Sequence, residues 1–310
     1  MNFDLDLLSK AKYWSVLSLI VVIVGWVILA TPLVAPGLKD SSWPWLNLGI
    51  DFQGGSKITV PFQEEVTTAD MRKFLSSTEG LGDLSDSQIQ SATGSNIIYI
   101  NTKLDVGGNE VLINDLRSSL SENFQVSENQ ISINSVGEQI SQEFQVKALQ
   151  AIGIALLVIL LYISWRFRLR YAVGAVAAVI HDVTIALALF AVLGVEINLP
   201  TIGAFLTIVG YSLNDTIVYF DRMRENTGKR ASRSMSTFQL INKSINQSLS
   251  RTLSTSTTTF IPVIALVLFG GPVLKAFSLA LLIGVIVGTY SSIYVASPIV
   301  YLWDKYLASE

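Results

Sequence analysis

Three ionisable residues stand inside or at the edge of long apolar stretches of the sequence: Asp182 and Asp215 inside two of them, and Arg251 at the start of a third. Placing such a side chain at bilayer depth costs about 2.5–3.5 kcal/mol on insertion scales, so each needs a compensating role. Counted from Val195, Leu199 and Gly270, near the predicted outer ends of the spans, they lie 13, 16 and 19 residues in. At about 1.5 Å per residue these separations are roughly 20, 24 and 28 Å. The sequence therefore predicts that the three side chains share one level, where an aspartate that gains and loses a cationic neighbour takes up and releases a proton.

Two further polar residues extend this predicted relay. His181 precedes Asp182, and Asn214 precedes Asp215. For His181, a neutral hydrogen-bonded ring inside a helix bundle is as consistent with the sequence as a proton carrier. Arg251 likewise has two interpretations, because its long side chain either pairs with an acid or extends to the membrane surface.

A run of hydroxyl side chains follows Arg251. Seven of the eight residues from 252 to 259 are Ser or Thr, the exception being Leu253. Hydroxyls in membrane helices commonly bond between helices. The alternative is a hydrated path that reaches the charged residues, and its candidate lining residues are Thr252, Ser254, Thr255 and Ser256.

Other chemistry is largely excluded by composition. The chain has no cysteine and one histidine, which rules out disulfides, thiolate metal sites and histidine metal clusters. Neither an H-E-x-x-H zinc motif nor a G-x-S-x-G nucleophile elbow is present. The enzyme alternative is an intramembrane dyad of Asp182 and Asp215, which a cation at the same level disfavours. We therefore expect no enzyme activity, no catalytic residue, no metal and no cofactor.

The elements that would position these side chains are membrane spans. Of the 310 residues 50% are hydrophobic and 15% charged, whereas soluble proteins carry about 25% charged residues. A signal peptide is the alternative for the first run, but its long core and the preceding acids Asp4 and Asp6 favour an uncleaved anchor. The six apolar runs are Tyr13–Leu38, Ala148–Trp165, Tyr171–Val195, Ile197–Phe220, Thr252–Phe269 and Ala276–Trp303.

Basic residues set the predicted orientation, because they concentrate in cytoplasmic loops. They precede the first run and fill the connections between the second and third and between the fourth and fifth. Both termini are therefore expected in the cytoplasm. The predicted domains are 1–38 with the first span, an external domain at 39–145, a five-helix bundle at 146–304 with a basic loop at 221–250, and a tail at 305–310.

The external segment has the pattern of a folded α+β domain. Six basic and fifteen acidic residues give it a net charge of −9, which argues against nucleic acid as a partner. Strands are predicted at 57–60, 87–92, 96–102 and 130–136, with a turn at 93–95. Helices are predicted from Thr68 to near Gly80 and at 108–122. The order βαββαβ is that of a ferredoxin-like split unit, so the predicted fold is a polytopic α-helical membrane protein with six transmembrane helices and one external ferredoxin-like domain.

Several strings, taken in order, resemble the SecF family of bacterial protein-export membrane proteins, and the resemblance covers all six spans. They are G-I-D-F-Q-G-G at 49–55, H-D-V-T-I at 181–185, G-Y-S-L-N-D-T-I-V at 210–218, L-S-R-T at 249–252 and G-V-I-V-G-T-Y-S-S-I-Y at 284–294.

The resemblance implies a function and partners. SecF-like proteins belong to the resistance–nodulation–division superfamily and pair with SecD. The pair is expected to use the proton gradient to help move unfolded pre-proteins through the SecYEG translocon, with YajC and YidC as associated partners. The location implied is the bacterial inner (plasma) membrane, with a thylakoid membrane as the alternative.

The resemblance also assigns residues. Asp215 would be the proton-linked carboxylate, Arg251 its charged neighbour and Asp182 a further polar member of the core. The string Asp51–Gly55 would join the first span to the external domain, where the Gly54–Gly55 pair fits a tight turn because glycine tolerates positive φ. The chain departs from the family pattern at Val218–Phe220, which replaces a more usual all-apolar stretch.

Two other functions are compatible with the sequence. One is a proton-coupled small-molecule exporter of the same superfamily, although such exporters usually carry twelve spans and two large outer loops in one chain. The other is a scaffold without transport activity. Six spans and a single external segment favour the protein-export interpretation.

Overall fold

The computed structural model describes residues 4–34, 46–78, 81, 84–85, 87–91, 96–229 and 234–306. The chain divides into two compact units. One, the helical unit, comprises Met1–Asn47 and Ala151–Glu310, and the other, the α/β unit, comprises Leu48–Gln150.

The helical unit is built from long apolar helices. Among the described residues six stretches are long and apolar enough to cross a membrane, which confirms the predicted number of spans. The helices are α1 Ala11–Val34, α5 Glu138–Arg166, α6 Leu169–Leu193, α7 Leu199–Gly228, α8 Thr237–Phe269 and α9 Gly271–Ser291, which continues through a π-helical turn, Ser292–Ala296, into α10 Ser297–Tyr306. The first part of α5, up to Gln150, belongs to the α/β unit.

The helices extend beyond the apolar runs from which they were predicted. Helices α7 and α8 both reach into the predicted loop 221–250, so the connection between them is limited to residues 229–236. Ser236 caps the start of α8 with a capping box. Its hydroxyl accepts a hydrogen bond from the Gln239 backbone N–H, and its own backbone N–H donates to the Gln239 side-chain oxygen. The predicted basic loop therefore includes the polar ends of both helices, because hydropathy marks the apolar part of a helix and not its ends.

Glycines bring α9 close to α7. A Cβ atom at Gly288 would lie 3.2 Å from the Cβ of Ser212, and one at Gly284 would collide with the Ile208 side chain. This G-x-x-x-G pair therefore allows the close helix packing that small residues typically permit. It places the Ser212 turn of α7 directly against α9.

The α/β unit contains a four-stranded antiparallel sheet with the order β3-β4-β2-β5. Its sequence order is βαββαβ, as predicted, and Ile58 lies opposite both Ile100 and Ile133. The predicted turn at 93–95 and the predicted helix end near Gly80 lie outside the described residues. The elements are β2 Gly55–Pro61, α3 Thr68–Ser77, β3 Gln88–Ser91, β4 Ile97–Thr102, α4 Glu110–Phe124 and β5 Ser132–Val136.

Three shorter elements complete the description. They are the strands β1 Asn47–Leu48 and β6 Glu196–Ile197, and the one-turn helix α2 Ile50–Gln53. Helix α2 ends at Gly54, whose backbone N–H donates to the Ile50 carbonyl at 2.9 Å.

Candidate functional site

Asp215 lies in the middle of α7 and is 2% exposed. Its carboxylate faces the hydroxyls of Thr255 and Ser256 on α8 and lies within electrostatic range of Arg251. Oδ2 nevertheless has no hydrogen-bond partner among the described residues. A buried acid that is incompletely hydrogen-bonded within a membrane helix is a candidate proton-exchange group.

Arg251 is placed differently from the prediction. Its side chain is exposed on the helical unit, and within the described part of the chain it forms no ion pair shorter than 4 Å. The predicted direct pair with Asp215 is therefore not formed, and the two charges interact at longer range. Asn214 is also exposed and does not join the acid.

Asp182 forms a separate cluster where α6, α7 and α9 meet. It is 1% exposed and accepts hydrogen bonds from Ser212 at 2.5 Å and Ser291 at 2.8 Å. His181 Nδ1 lies 2.8 Å from its second oxygen, and the His181 ring stacks on Tyr290 with centroids 6.0 Å apart. The predicted single charged cluster is therefore two sites, one centred on Asp182 and the other on Asp215.

The Ser and Thr side chains at 252–259 of α8 differ in their contacts. Ser256 bonds across to Thr289 of α9 at 2.7 Å, whereas Ser254 is exposed and bonds back to the Ser250 carbonyl of its own helix. Thr255, which is half-buried, bonds the Thr252 carbonyl at 2.9 Å. The Thr252 hydroxyl is buried and has no hydrogen-bond partner in the described ranges. The Ser256–Thr289 bond is the interhelical bonding that one interpretation predicts, and the hydrated path remains a prediction.

The glycine pair of the α/β unit forms the tight turn that was predicted. Gly54 has φ +72° and Gly55 φ +102°, and a Cβ atom on Gly55 would collide with the Thr102 carbonyl. The first residues of α5 pack on this turn, because the side-chain amide of Gln145 donates to the Phe52 carbonyl. Asp51 lies in α2, just before the pair. Both positions therefore require glycine.

Several partners in these sites have no signal in the sequence. Nothing marks Ser212 or Ser291 as ligands of Asp182, because each stands on a different helix. The ion pairs Arg166–Asp221 at 3.0 Å and Arg170–Asp304 at 2.5 Å also join separate helices. No cluster of three or more metal-binding side chains occurs in the part of the chain that the structure describes.

Comparisons with known proteins agree with this architecture. The family model for the C-terminal part of the protein-export membrane proteins SecD and SecF matches residues 116–306, and the model for the SecD/SecF GG motif matches residues 44–66. The protein translocase subunit SecF of Thermodesulfovibrio yellowstonii is 41% identical over 303 residues, which cover 97% of this chain and 95% of that protein.

A longer relative, named SecDF, matches this chain over part of its length. The protein translocase subunit SecDF of Thermus thermophilus is 40% identical over 260 residues, covering 84% of this chain and 35% of that protein. A crystal structure of SecDF from Thermus thermophilus, described as a translocon-associated membrane protein, superimposes with a TM-score of 0.82 and 34% identity over 98% of this chain and 39% of that chain. The chain therefore belongs to the SecF proteins of the SecD/SecF protein-export family.

Proposed function

We propose that this chain is a subunit of the protein translocase that pairs with SecD and uses the proton gradient to promote the movement of unfolded pre-proteins across the membrane. The names of the relatives support the translocase role, since one is a translocase subunit SecF and another a translocase subunit SecDF. The fusion of both parts in one relative supports pairing with SecD.

The observation that carries proton coupling is the state of Asp215. Its carboxylate is buried in a membrane-crossing helix, one oxygen is unpaired among the described residues, and no cation lies within ion-pair distance. Protonation therefore changes the charge of a group that the surrounding protein does not neutralise by direct contact. Such a change shifts the balance between two packing arrangements of α7 and α8, which is how a local charge event becomes a conformational step.

Exposed polar side chains on α7 and α8 support a membrane-embedded partner. Ionisable residues within membrane spans almost always face the interior of a bundle. Arg251 and Asn214, however, are exposed on this chain taken by itself. Spans of SecD that cover this face would remove Arg251 from lipid and hold it near Asp215.

The remaining assignments follow from the family and the charge pattern. The complex would act beside SecYEG, with YajC and YidC as further partners, in the bacterial plasma membrane. The α/β unit would lie outside the cytoplasm and both termini inside it.

The test replaces Asp215 by asparagine, which keeps the shape of the side chain and removes its titration. In inverted membrane vesicles that contain the SecD–SecF complex, Asp215→Asn is expected to abolish the stimulation of pre-protein translocation by an imposed proton gradient. Asp221→Asn is the matched control on the same helix, because Asp221 is partly exposed and pairs with Arg166. Full stimulation in the Asp215→Asn complex would refute proton coupling through this residue.

A further inference from the structure

Helices α7 and α8 enclose a line of polar side chains that leads away from Asp215. Asp215 of α7 faces Ser256 of α8, and Tyr219, one turn later on α7, faces Thr252, one turn earlier on α8. The two helices therefore run antiparallel. On α8 the polar residues Ser256, Thr252, Ser248 and Ser244 follow at intervals of one turn, whereas on α7 the buried Met223 stands between Tyr219 and Asn226. We use the name polar seam for Asp215, Tyr219 and Asn226 of α7 together with Ser244, Gln247, Ser248, Thr252 and Ser256 of α8.

The middle of the polar seam is buried and unpaired. Tyr219 is 0% exposed, Thr252 1% and Ser248 3%. The hydroxyls of Tyr219 and Thr252 lie close enough to interact but do not form a hydrogen bond. With the Ser248 hydroxyl and Oδ2 of Asp215 they make four buried polar atoms that lack a hydrogen-bond partner among the described residues.

Buried polar atoms without a protein partner commonly bind ordered water. Asp215 and Tyr219 are one turn apart on α7, Thr252 and Ser248 are one turn apart on α8, and Tyr219 lies beside Thr252. The last of them, Ser248, is eight residues from Ser256 along α8, a rise of roughly 12 Å. Bridging waters along this distance would connect the acid to the far end of the polar seam.

That end reaches the surface of the helical unit. The Asn226 side-chain amide donates to Ser244 at 2.9 Å and to Gln247 at 2.8 Å. Asn226 is 1% exposed, whereas Gln247 is exposed. The polar seam therefore runs from a buried carboxyl group to solvent at the end of the unit near the 229–236 connection.

We propose that Tyr219 is a proton-transfer residue that connects Asp215, through water bridged by Thr252 and Ser248, to the cytoplasmic side at Gln247. The proposal rests on the proposed function of Asp215 and adds the route by which its proton leaves. A phenol hydroxyl suits this position because it both donates and accepts a hydrogen bond.

The experiment compares two substitutions that separate the hydroxyl from the ring. Tyr219→Phe keeps the packed ring and removes the hydroxyl, whereas Tyr219→Ser removes the ring, retains a hydroxyl and admits water. The SecD–SecF complex is reconstituted in proteoliposomes, a pH gradient is imposed, and a pH-sensitive dye in the lumen reports proton flux. The matched control is Tyr162→Phe, which makes the same change on an exposed side chain of α5.

A positioned proton-transfer group increases a reaction rate by about 100-fold or more. Because water can partly replace the phenol, we expect the proton flux of Tyr219→Phe to fall by about tenfold. Tyr219→Ser is expected to retain more flux than Tyr219→Phe. If Tyr219 served only to fill the core, the order would be reversed, because the serine variant would leave a cavity. A wild-type rate in Tyr219→Phe, or a lower rate in Tyr219→Ser than in Tyr219→Phe, overturns the proposal.

Two further variants keep the result interpretable. Thr252→Val removes the next hydroxyl without changing the shape of the side chain and is expected to slow flux in the same direction as Tyr219→Phe; an unchanged rate overturns the route. Asp215→Asn separates a failure of the proposed function from a failure of the proposed route. If it abolishes flux while Tyr219→Phe is normal, the proposed function stands and the route through Tyr219 falls, whereas normal flux in Asp215→Asn refutes the proposed function itself.

Discussion

Replacing Asp182 by alanine tests whether this acid joins three helices or carries protons. The substitution removes a carboxylate that accepts hydrogen bonds from Ser212 of α7 and Ser291 of α9. Each hydrogen bond to a charged group contributes about 1.5–3 kcal/mol. Ser291 retains its bond to the Gly288 carbonyl at 3.2 Å, which offsets part of the loss.

The expected decrease in the free energy of unfolding is therefore about 3 kcal/mol. For chains of this size each kcal/mol lowers the thermal midpoint by roughly 2–4 °C, so the midpoint is expected to fall by about 6–12 °C. Asp182→Asn keeps a neutral acceptor of the same shape and is expected to cost about 1 kcal/mol. It should also leave proton-dependent translocation active, in contrast to Asp215→Asn.

The assay heats the purified SecD–SecF complex in detergent and measures the fraction that remains folded by size-exclusion chromatography. Asp221→Ala is the control, because the Asp221–Arg166 pair has side chains 36% and 32% exposed and a pair of this kind contributes less than about 1 kcal/mol. If Asp182→Ala kept the wild-type midpoint but transported no protons, Asp182 would be a proton carrier, and the structural explanation of its three contacts would be wrong.

Two other predictions concern Arg251 and the glycine pair. Arg251→Lys should retain more gradient-stimulated translocation than Arg251→Ala, because the interaction with Asp215 acts through charge at a distance and not through a bidentate contact; equal loss in both variants would contradict this. Gly55→Ala should destabilise the protein by about 1–3 kcal/mol, because an L-residue is strained at its positive φ and its Cβ would meet Thr102. Gly137→Ala, where a Cβ atom meets nothing within 4 Å, is the control in the same thermal assay, and equal midpoints in the two variants would refute the prediction.

The spans could be predicted from the sequence because a bilayer core imposes a minimum length of apolar helix that hydropathy detects directly. The same signal could not locate the polar ends of α7 and α8, which are helical but not lipid-facing. The order of strands and helices in the α/β unit was predictable from local alternation and from the cap at Thr67, whose hydroxyl accepts from the Asp70 backbone.

The interior of the site was less predictable. Depth along a helix can be counted from the sequence, and this count is the basis for predicting that Asp182 and Asp215 lie at one level. The direction of each side chain around its helix axis depends on packing with other helices, and this direction separates the two acids. Tyr219 illustrates the same limit. In the sequence it is an aromatic residue in an apolar stretch. Only the structure shows that its hydroxyl lies beside Thr252 and has no hydrogen-bond partner among the described residues.

The contrast between the two buried acids bears directly on function. Asp182 is satisfied by two serine hydroxyls and a histidine ring, so a change in its protonation would break contacts on three helices at once. Asp215 has an unpaired oxygen and no ion pair in the described part of the chain, and its carboxylate faces hydroxyls of one neighbouring helix, α8. A group that must exchange a proton repeatedly is better placed where the exchange disturbs few contacts, which supports the proposed role of Asp215. We therefore propose a structural role for the acid on α6 and a proton-exchanging role for the acid on α7, and the paired asparagine variants distinguish these roles because only Asp215→Asn should abolish coupling.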